Sequence, residues 1–250
     1  MHYPNLPALI ADSKRTLTKG PIALVMIEDD VEVDSTLSHL GTFDFGNIIA
    51  FCAPDRTFPQ TSSEVLHRVD YDVTADNALP EIANALIKAL PDMWFYYCYN
   101  AEYLYYPFCE HRNVREMLGF MQEERRDSIM SYIVDIYARD LTAHPNGVDH
   151  ATAHFDKSGY YALARKDAAG VELERQLDIS GGLRWRFEDH IAKDRQRNDR
   201  VSFFRAQPSL KMLPDRSFNI AEYNTFSCPW HNNLTSAVAS FRTAKALRRN

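Results

Sequence analysis

PIALVMIEDDVEVDSTLSHLGTFDFGNIIAFCAP, residues 21–54, is the stretch on which the reading of the fold turns. PIALVMIE (21–28) is a short apolar run with β-branched residues, bounded by Gly20-Pro21 before it and an acidic cluster after it, which suits a strand buried on both faces. VEVDSTLSHLGTFDF (31–45) then places Val33, Leu37, Leu40 and Phe43 at helical spacing and stops near Gly46. NIIAFCAP (47–54) reads as a second buried strand. Strand, helix, strand implies parallel pairing, because parallel strands need a crossover connection.

The same alternation continues outward. VLHRVDYD (65–72) is a third strand, ALPEIANALIKAL (78–90) a helix, and MWFYYCYNAEYLYY (93–106) a fourth strand running on into a turn. The fold class expected is therefore α/β, with a Rossmann-like, doubly wound sheet. RNVREMLGFMQEERRDSIMSYIVDIYARD (112–140) holds a helix to about residue 125 and a Tyr/Ile/Val strand after it. Beyond it the chain is polar and less regular, with a Gly181-Gly182 pair where the backbone turns sharply or lies close to something. GGLRWRF reads as an ordinary strand with Arg184 and Arg186 outward and Trp185 inward. LTSAVASFRTAKALRRN (234–250) reads as one amphipathic helix, with Leu234, Val238, Phe241 and Leu247 against Arg242, Lys245, Arg248 and Arg249.

At 250 residues the chain is expected to form a single domain, 1–107 as its nucleotide-binding half and 108–250 as the other. A formal net charge of −6 argues against a protein held on nucleic acid by its overall field. There is no apolar run of membrane-spanning length, and MHYPNLPALIADSKR lacks the basic start and apolar core of a secretory signal, so a cytoplasmic location is expected. Cys52, Cys98, Cys109 and Cys228 match no zinc spacing and are read as reduced thiols. His144, His150 and His154, near Asp149 and Asp156, read as surface histidines, since they have no helical metal-ligand spacing.

In doubly wound sheets ligands bind beyond the carboxyl ends of the strands. That edge offers Glu28, Asp29 and Asp30 after the first strand, Asp55 and Arg56 after the second, Asp70 and Asp72 after the third, and Asn100 and Glu102 late in the fourth.

A strand ending in an acid, a tyrosine-rich strand with a Glu-aromatic-Leu-x-Tyr-Pro turn, then CEHR, VDIYARD, FDKSGY, GGLRWR and a late CPWHNN make the chain resemble bacterial family-2-type glycosyltransferases of the GT-A fold. What the resemblance implies is transfer of a sugar from a nucleotide-sugar donor to a carbohydrate acceptor. In that family the fourth strand ends in Asp-x-Asp-Glu-aromatic, whose aspartates hold a divalent cation on the donor diphosphate. Here the match is Tyr99-Asn100-Ala101-Glu102-Tyr103, with both aspartates missing. Magnesium and manganese want hard oxygen ligands, so a strong cation site at this turn is disfavoured.

The resemblance implies that Glu28, Asp29, Asp55 and Asn100 lie at the nucleotide, that Glu102 and His231 lie by the diphosphate, and that Asp156 is an acceptor-side base. Without a metal, the leaving diphosphate needs a positive group, for which Arg184, Arg186, Arg112 and Arg205 are candidates. The other reading is a fold of this kind that has lost catalysis and binds carbohydrate or acts as a scaffold, with Tyr96, Tyr97, Tyr99, Tyr103, Tyr105 and Tyr106 as stacking faces. Peripheral membrane contact through the basic C-terminal helix is a further expectation, weaker than simple packing of that helix.

Overall fold

A computed structural model describes residues 1–58, 65–226 and 234–249. The elements in chain order are β1 (His2–Tyr3), α1 (Leu6–Thr16), β2 (Ile22–Met26), α2 (Val33–Gly41), β3 (Asn47–Cys52), β4 (Leu66–Asp70), α3 (Ala78–Ala89), β5 (Trp94–Tyr99), β6 (Glu102–Tyr105), α4 (Val114–Glu123) and β7 (Ser128–Tyr137). They continue with β8 (His154–Phe155), β9 (Tyr161–Lys166), β10 (Glu172–Ser180), α5 (Gly182–Arg186), β11 (Asp199–Arg205), β12 (Ser236–Ser240) and α6 (Arg242–Arg249). The chain divides into two compact units, one of residues 1–101, 108–129 and 201–224, the other of 102–107, 130–200 and 225–250.

The first unit is the Rossmann-like part. Its strands lie in the order β1-β4-β3-β2-β5, every neighbouring pair parallel, and Phe203–Arg205 of β11 add antiparallel to β5. The apolar runs at 21–28 and 47–54 form strands because a parallel sheet covered on both faces has no polar side: β2 and β3 are buried at every position. Phe95 meets Phe204 at 5.5 Å between ring centroids, and Tyr96 meets Phe203 at 4.6 Å. Contacts of this kind use the large buried area of aromatic rings to hold β11 on β5. Helix α4 starts in a capping box, Asn113 and Glu116 each accepting the other's backbone N–H. Residues 2–16, which the sequence reading left unassigned, form β1 and α1, with Asn5 capping the helix by accepting from Ala8 at 2.9 Å.

In the second unit β12 lies between β7, to which it is parallel, and β6, to which it is antiparallel; β8 pairs with β7, and β9 and β10 form a separate antiparallel hairpin.

Three expectations are corrected. The run 93–106 is two strands: β5 ends at Tyr99, Ala101 takes the left-handed conformation at φ 64°, and β6 begins at Glu102. GGLRWRF is a short helix, with Trp185 53% exposed and the Arg184 side chain 13% exposed, the reverse of the placement expected for those two. The segment 234–250 is not one helix. Ser236, Val238 and Ser240 are buried on alternate positions of a strand paired on both sides, and that pairing outweighs the helical preference of its alanines; the helix starts only at Arg242. Lys245, expected on an exposed basic face, is 3% exposed. Among the described residues no helix is long and apolar enough to cross a membrane.

His67 on β4 is buried, its Nε2 hydrogen-bonded to Asn47 Oδ1 at 2.9 Å and its Nδ1 without a partner. Burial, helped by the nearby N-terminal amine, holds its pKa down at about 4, below the usual 6.5. Above the unfolded value the ring is neutral in both states. Below it the unfolded chain takes up a proton that the folded chain refuses, so stability is expected to fall by about 2–3 kcal/mol between pH 6.5 and 4. Urea midpoints of the native chain and His67→Gln across this window check it: the difference between the two curves should be flat above pH 6.5 and shrink below it.

Candidate functional site

The order β4-β3-β2-β5 reverses direction between β2 and β5. The chain steps from β2 to β3 to β4 on one side, then returns to place β5 on the other. Beyond the carboxyl ends of that pair lies the crevice in which open α/β sheets bind ligands. In the first unit, this edge is built by Asn100.

Asn100 is fully buried, and its side-chain amide organises the loop after β2. Its Oδ1 accepts the Glu28 N–H at 2.9 Å. Its Nδ2 donates to the Asp29 carboxylate at 2.7 Å and to the carbonyls of Asp29 and Val31 at 3.1 and 2.8 Å. The same Asp29 oxygen accepts the Val31 N–H at 2.9 Å. The next residue, Ala101, donates its N–H to Thr36 Oγ1 of α2 at 2.8 Å, which fixes the left-handed turn. Residues 28–31 are thus held as a rigid rim, and two of the expected donor residues, Asp29 and Asn100, serve each other there.

The rim's second half is the loop after β3. Arg68 clamps it by donating to the carbonyls of Pro54, Ala53 and Arg56, its guanidinium stacked over Phe58 at 5.5 Å. Arg68 also holds Asp70 at 3.1 Å. Burial pushes the Asp70 carboxyl up, but hydrogen bonds from His2 and Arg68 outweigh this and leave it below its usual range. On the clamped loop Asp55 is exposed, and Arg56 reaches across to the Asp30 carboxylate and the Glu28 carbonyl, each at 3.4 Å. Asp30 and Arg56 remain substantially open to solvent, so this rim presents a carboxylate suited to hydroxyl groups and a guanidinium suited to phosphate oxygens. Sequence reasoning placed Arg56 on this edge but did not select it; its position directly after a second buried strand was the available signal.

In the second unit the expected residues fall into two groups. Glu102, 1% exposed, receives a bidentate pair from Arg200 at 2.7 and 3.2 Å and a hydrogen bond from Ser240 at 3.1 Å. Ser240 is the register partner of both Glu102 on β6 and Asp135 on β7. Asp135, also 1% exposed, binds Arg184 in the same bidentate way at 2.7 and 3.1 Å and accepts from Thr243 at 2.8 Å. One buried rung of three strands therefore carries acid, serine and acid, each acid neutralised by its own arginine. Arg184 donates further to the carbonyls of Arg195 and Arg197, which occupies the rest of its fork. The second group is Asp156, which accepts from the Tyr137 hydroxyl at 2.8 Å and pairs with Arg186, whose guanidinium lies over the Tyr137 ring.

Arg112 pairs with Glu116 and Arg205 with Asp92 and Asp127, all in the first unit. His231 and Cys228 lie outside the described residues. Of the tyrosines expected as stacking faces, Tyr96, Tyr97, Tyr99, Tyr103 and Tyr106 are buried in the core and only Tyr105 is exposed. Among the described residues no group of three or more His, Cys, Asp or Glu is placed to hold a metal ion. No protein-family model matches the chain, and no curated protein matches it.

Proposed function

We propose that the chain is a glycosyltransferase-type protein of the GT-A kind, which takes a nucleotide-activated sugar at the carboxyl edge of β2, β3 and β5 without a strong divalent-cation site. The observation that carries this reading is the reversal of strand order between β2 and β5, with the Asn100-built rim beside it. Asp30 and Asp55 are the acids left open there for ribose hydroxyls, with Glu28 contributing rim backbone. Arg56 supplies the positive charge that a diphosphate requires when no metal is bound. In the transfer the acceptor oxygen bonds to the anomeric carbon as that carbon's bond to the phosphate oxygen breaks. The diphosphate leaves as an anion, and the acceptor's proton passes to a base.

The other reading, a non-catalytic carbohydrate-binding or scaffold protein, is favoured by one specific observation. The two polar side chains at the turn that matches the cation-binding motif, Asn100 at its variable position and Glu102 at its glutamate, are both spent on internal partners.

A thermal-shift panel of uridine and guanosine diphosphate sugars separates the two. One nucleotide class is expected to stabilise the chain by about 2.7 kcal/mol at a hundred times its dissociation constant. Exchange of manganese for EDTA should change affinity by less than about tenfold, and Arg56→Ala should weaken it by about tenfold, or 1.4 kcal/mol. Absence of a response to every nucleotide favours the non-catalytic reading, and a loss above tenfold in EDTA overturns the metal-free one.

A further inference from the structure

A singly exposed aromatic needs no explanation, but exposed rings held in fixed positions beside a polar pair form a surface suited to a ligand. In the second unit Trp185 is 53% exposed and Tyr160 is 41% exposed. Both are seated on glycines. A Cβ added to Gly159, which has φ +82°, would lie 3.1 Å from the Trp185 ring. At Gly181 a Cβ would lie 2.6 Å from the Tyr160 backbone and 2.7 Å from its ring, and at Gly182 2.5 Å from its hydroxyl. Gly181 and Gly182 have φ values of +153° and +57°, so the pair both turns sharply and is closely approached, as its sequence suggested. Next to Trp185 in the chain stands Arg186, whose guanidinium is held by Asp156 and lies over the Tyr137 ring. Half of the Arg186 side chain remains accessible, at 49%.

We propose that Trp185 and Tyr160 form a platform for a neutral hexopyranosyl unit of an oligosaccharide. The chemistry that fits is a ligand with one flat C–H face and a rim of hydroxyls. A pyranose lays its C–H face on an electron-rich aromatic ring, while the planar guanidinium and carboxylate of Arg186 and Asp156, fixed against each other, bind vicinal hydroxyls at its edge. Arg186 and Asp156 neutralise one another, so the platform presents no net charge for an anionic ligand, and the backing glycines hold the rings in place before binding. The platform stands on this unit's own residues. Its role as the acceptor's seat rests on the glycosyltransferase reading, and sugar binding without any nucleotide tests it separately.

The test titrates the full chain, with no nucleotide, with cellotetraose, maltotetraose, mannotetraose and chitotetraose, read by calorimetry and tryptophan fluorescence. Saturable binding of at least one is expected, with a fluorescence change. Trp185→Ala should weaken it about tenfold or more, and Trp185→Phe, which keeps a smaller flat face, should weaken it less. Both variants should melt with the native chain, and their response to nucleotide sugars should be unchanged. The inference is overturned if none of the four sugars binds or if Trp185→Ala binds as the native chain does. It is equally overturned if sedimentation shows a concentration-dependent dimer that Trp185→Ala abolishes, since the rings would then serve self-association.

Discussion

Arg200→Met is expected to cost about 3–5 kcal/mol of stability, because it takes a bidentate guanidinium away from the buried Glu102 carboxylate. The carboxylate is 1% exposed and also accepts from the Ser240 hydroxyl at 3.1 Å, a neutral donor that does not replace the lost charge. Glu102→Gln should cost a similar amount from the opposite side, by removing the charge faced by the guanidinium, whose own side chain is 12% exposed. Replacing both together, Glu102→Leu with Arg200→Met, removes the desolvation penalty along with the attraction, so the pair should recover most of what either single change loses. Urea denaturation of the native chain, Arg200→Met, Glu102→Leu and the double variant measures the coupling directly. If Glu102→Gln leaves the melting behaviour unchanged and instead abolishes nucleotide-sugar binding, Glu102 acts on the ligand, as the family resemblance implies, and its pairing with Arg200 is secondary.

That pair also marks where the sequence ceased to be readable. An acid inside a buried aromatic run demands a partner, and this much follows from the cost of burying charge. Which of the 28 lysines and arginines answers it depends on a strand 98 residues further on. The strands of the first unit were legible for a related reason. β2, β3 and β5 are buried at every position, so their unbroken apolar runs carry the signal without alternation. β12 was misread because Ser-Ala-Val-Ala-Ser has no long apolar side chain except Val238, and its burial comes from the neighbours on both sides. A helix fitted to Leu234, Val238, Phe241 and Leu247 joined residues that the structure separates: Val238 lies in the strand, Leu247 in the helix, and Leu234 and Phe241 outside both. Trp185 was placed inside by strand alternation, although Gly181-Gly182 just before it already signalled an unusual backbone. On the candidate edge, sequence position supplied the right loops. Which acids face solvent and which serve the loop was set by Asn100, whose bonds to residues 28–31 no local pattern announces.

Placing an acid at Asn100, between the two positions where the family motif carries its aspartates, should damage the chain. In Asn100→Asp the introduced carboxylate would replace an amide nitrogen that donates to three acceptors: the Asp29 carboxylate at 2.7 Å and the Asp29 and Val31 carbonyls at 3.1 and 2.8 Å. All three would face oxygen in place of N–H, one of them a like charge, in a site with no exposure at Asn100 itself. The expected loss is about 3–5 kcal/mol at neutral pH, larger than for Asn100→Ala, which removes the same bonds without the repulsion. Such an environment raises the introduced carboxyl above its unfolded value. The penalty is therefore present above that value and is relieved as the pH falls and the group takes up a proton, which returns one donor. The stability difference from the native chain should accordingly narrow between pH 7 and 4. Manganese decides what the turn can be. Ala101 offers no ligand at the second acid's place, and Asp29 is already turned onto the Val31 N–H, so the variant should denature alike in manganese and in EDTA. If manganese instead returns the variant to native stability, the rim at residues 28–31 can open to hold a cation, and the metal-free reading of the donor site fails with it.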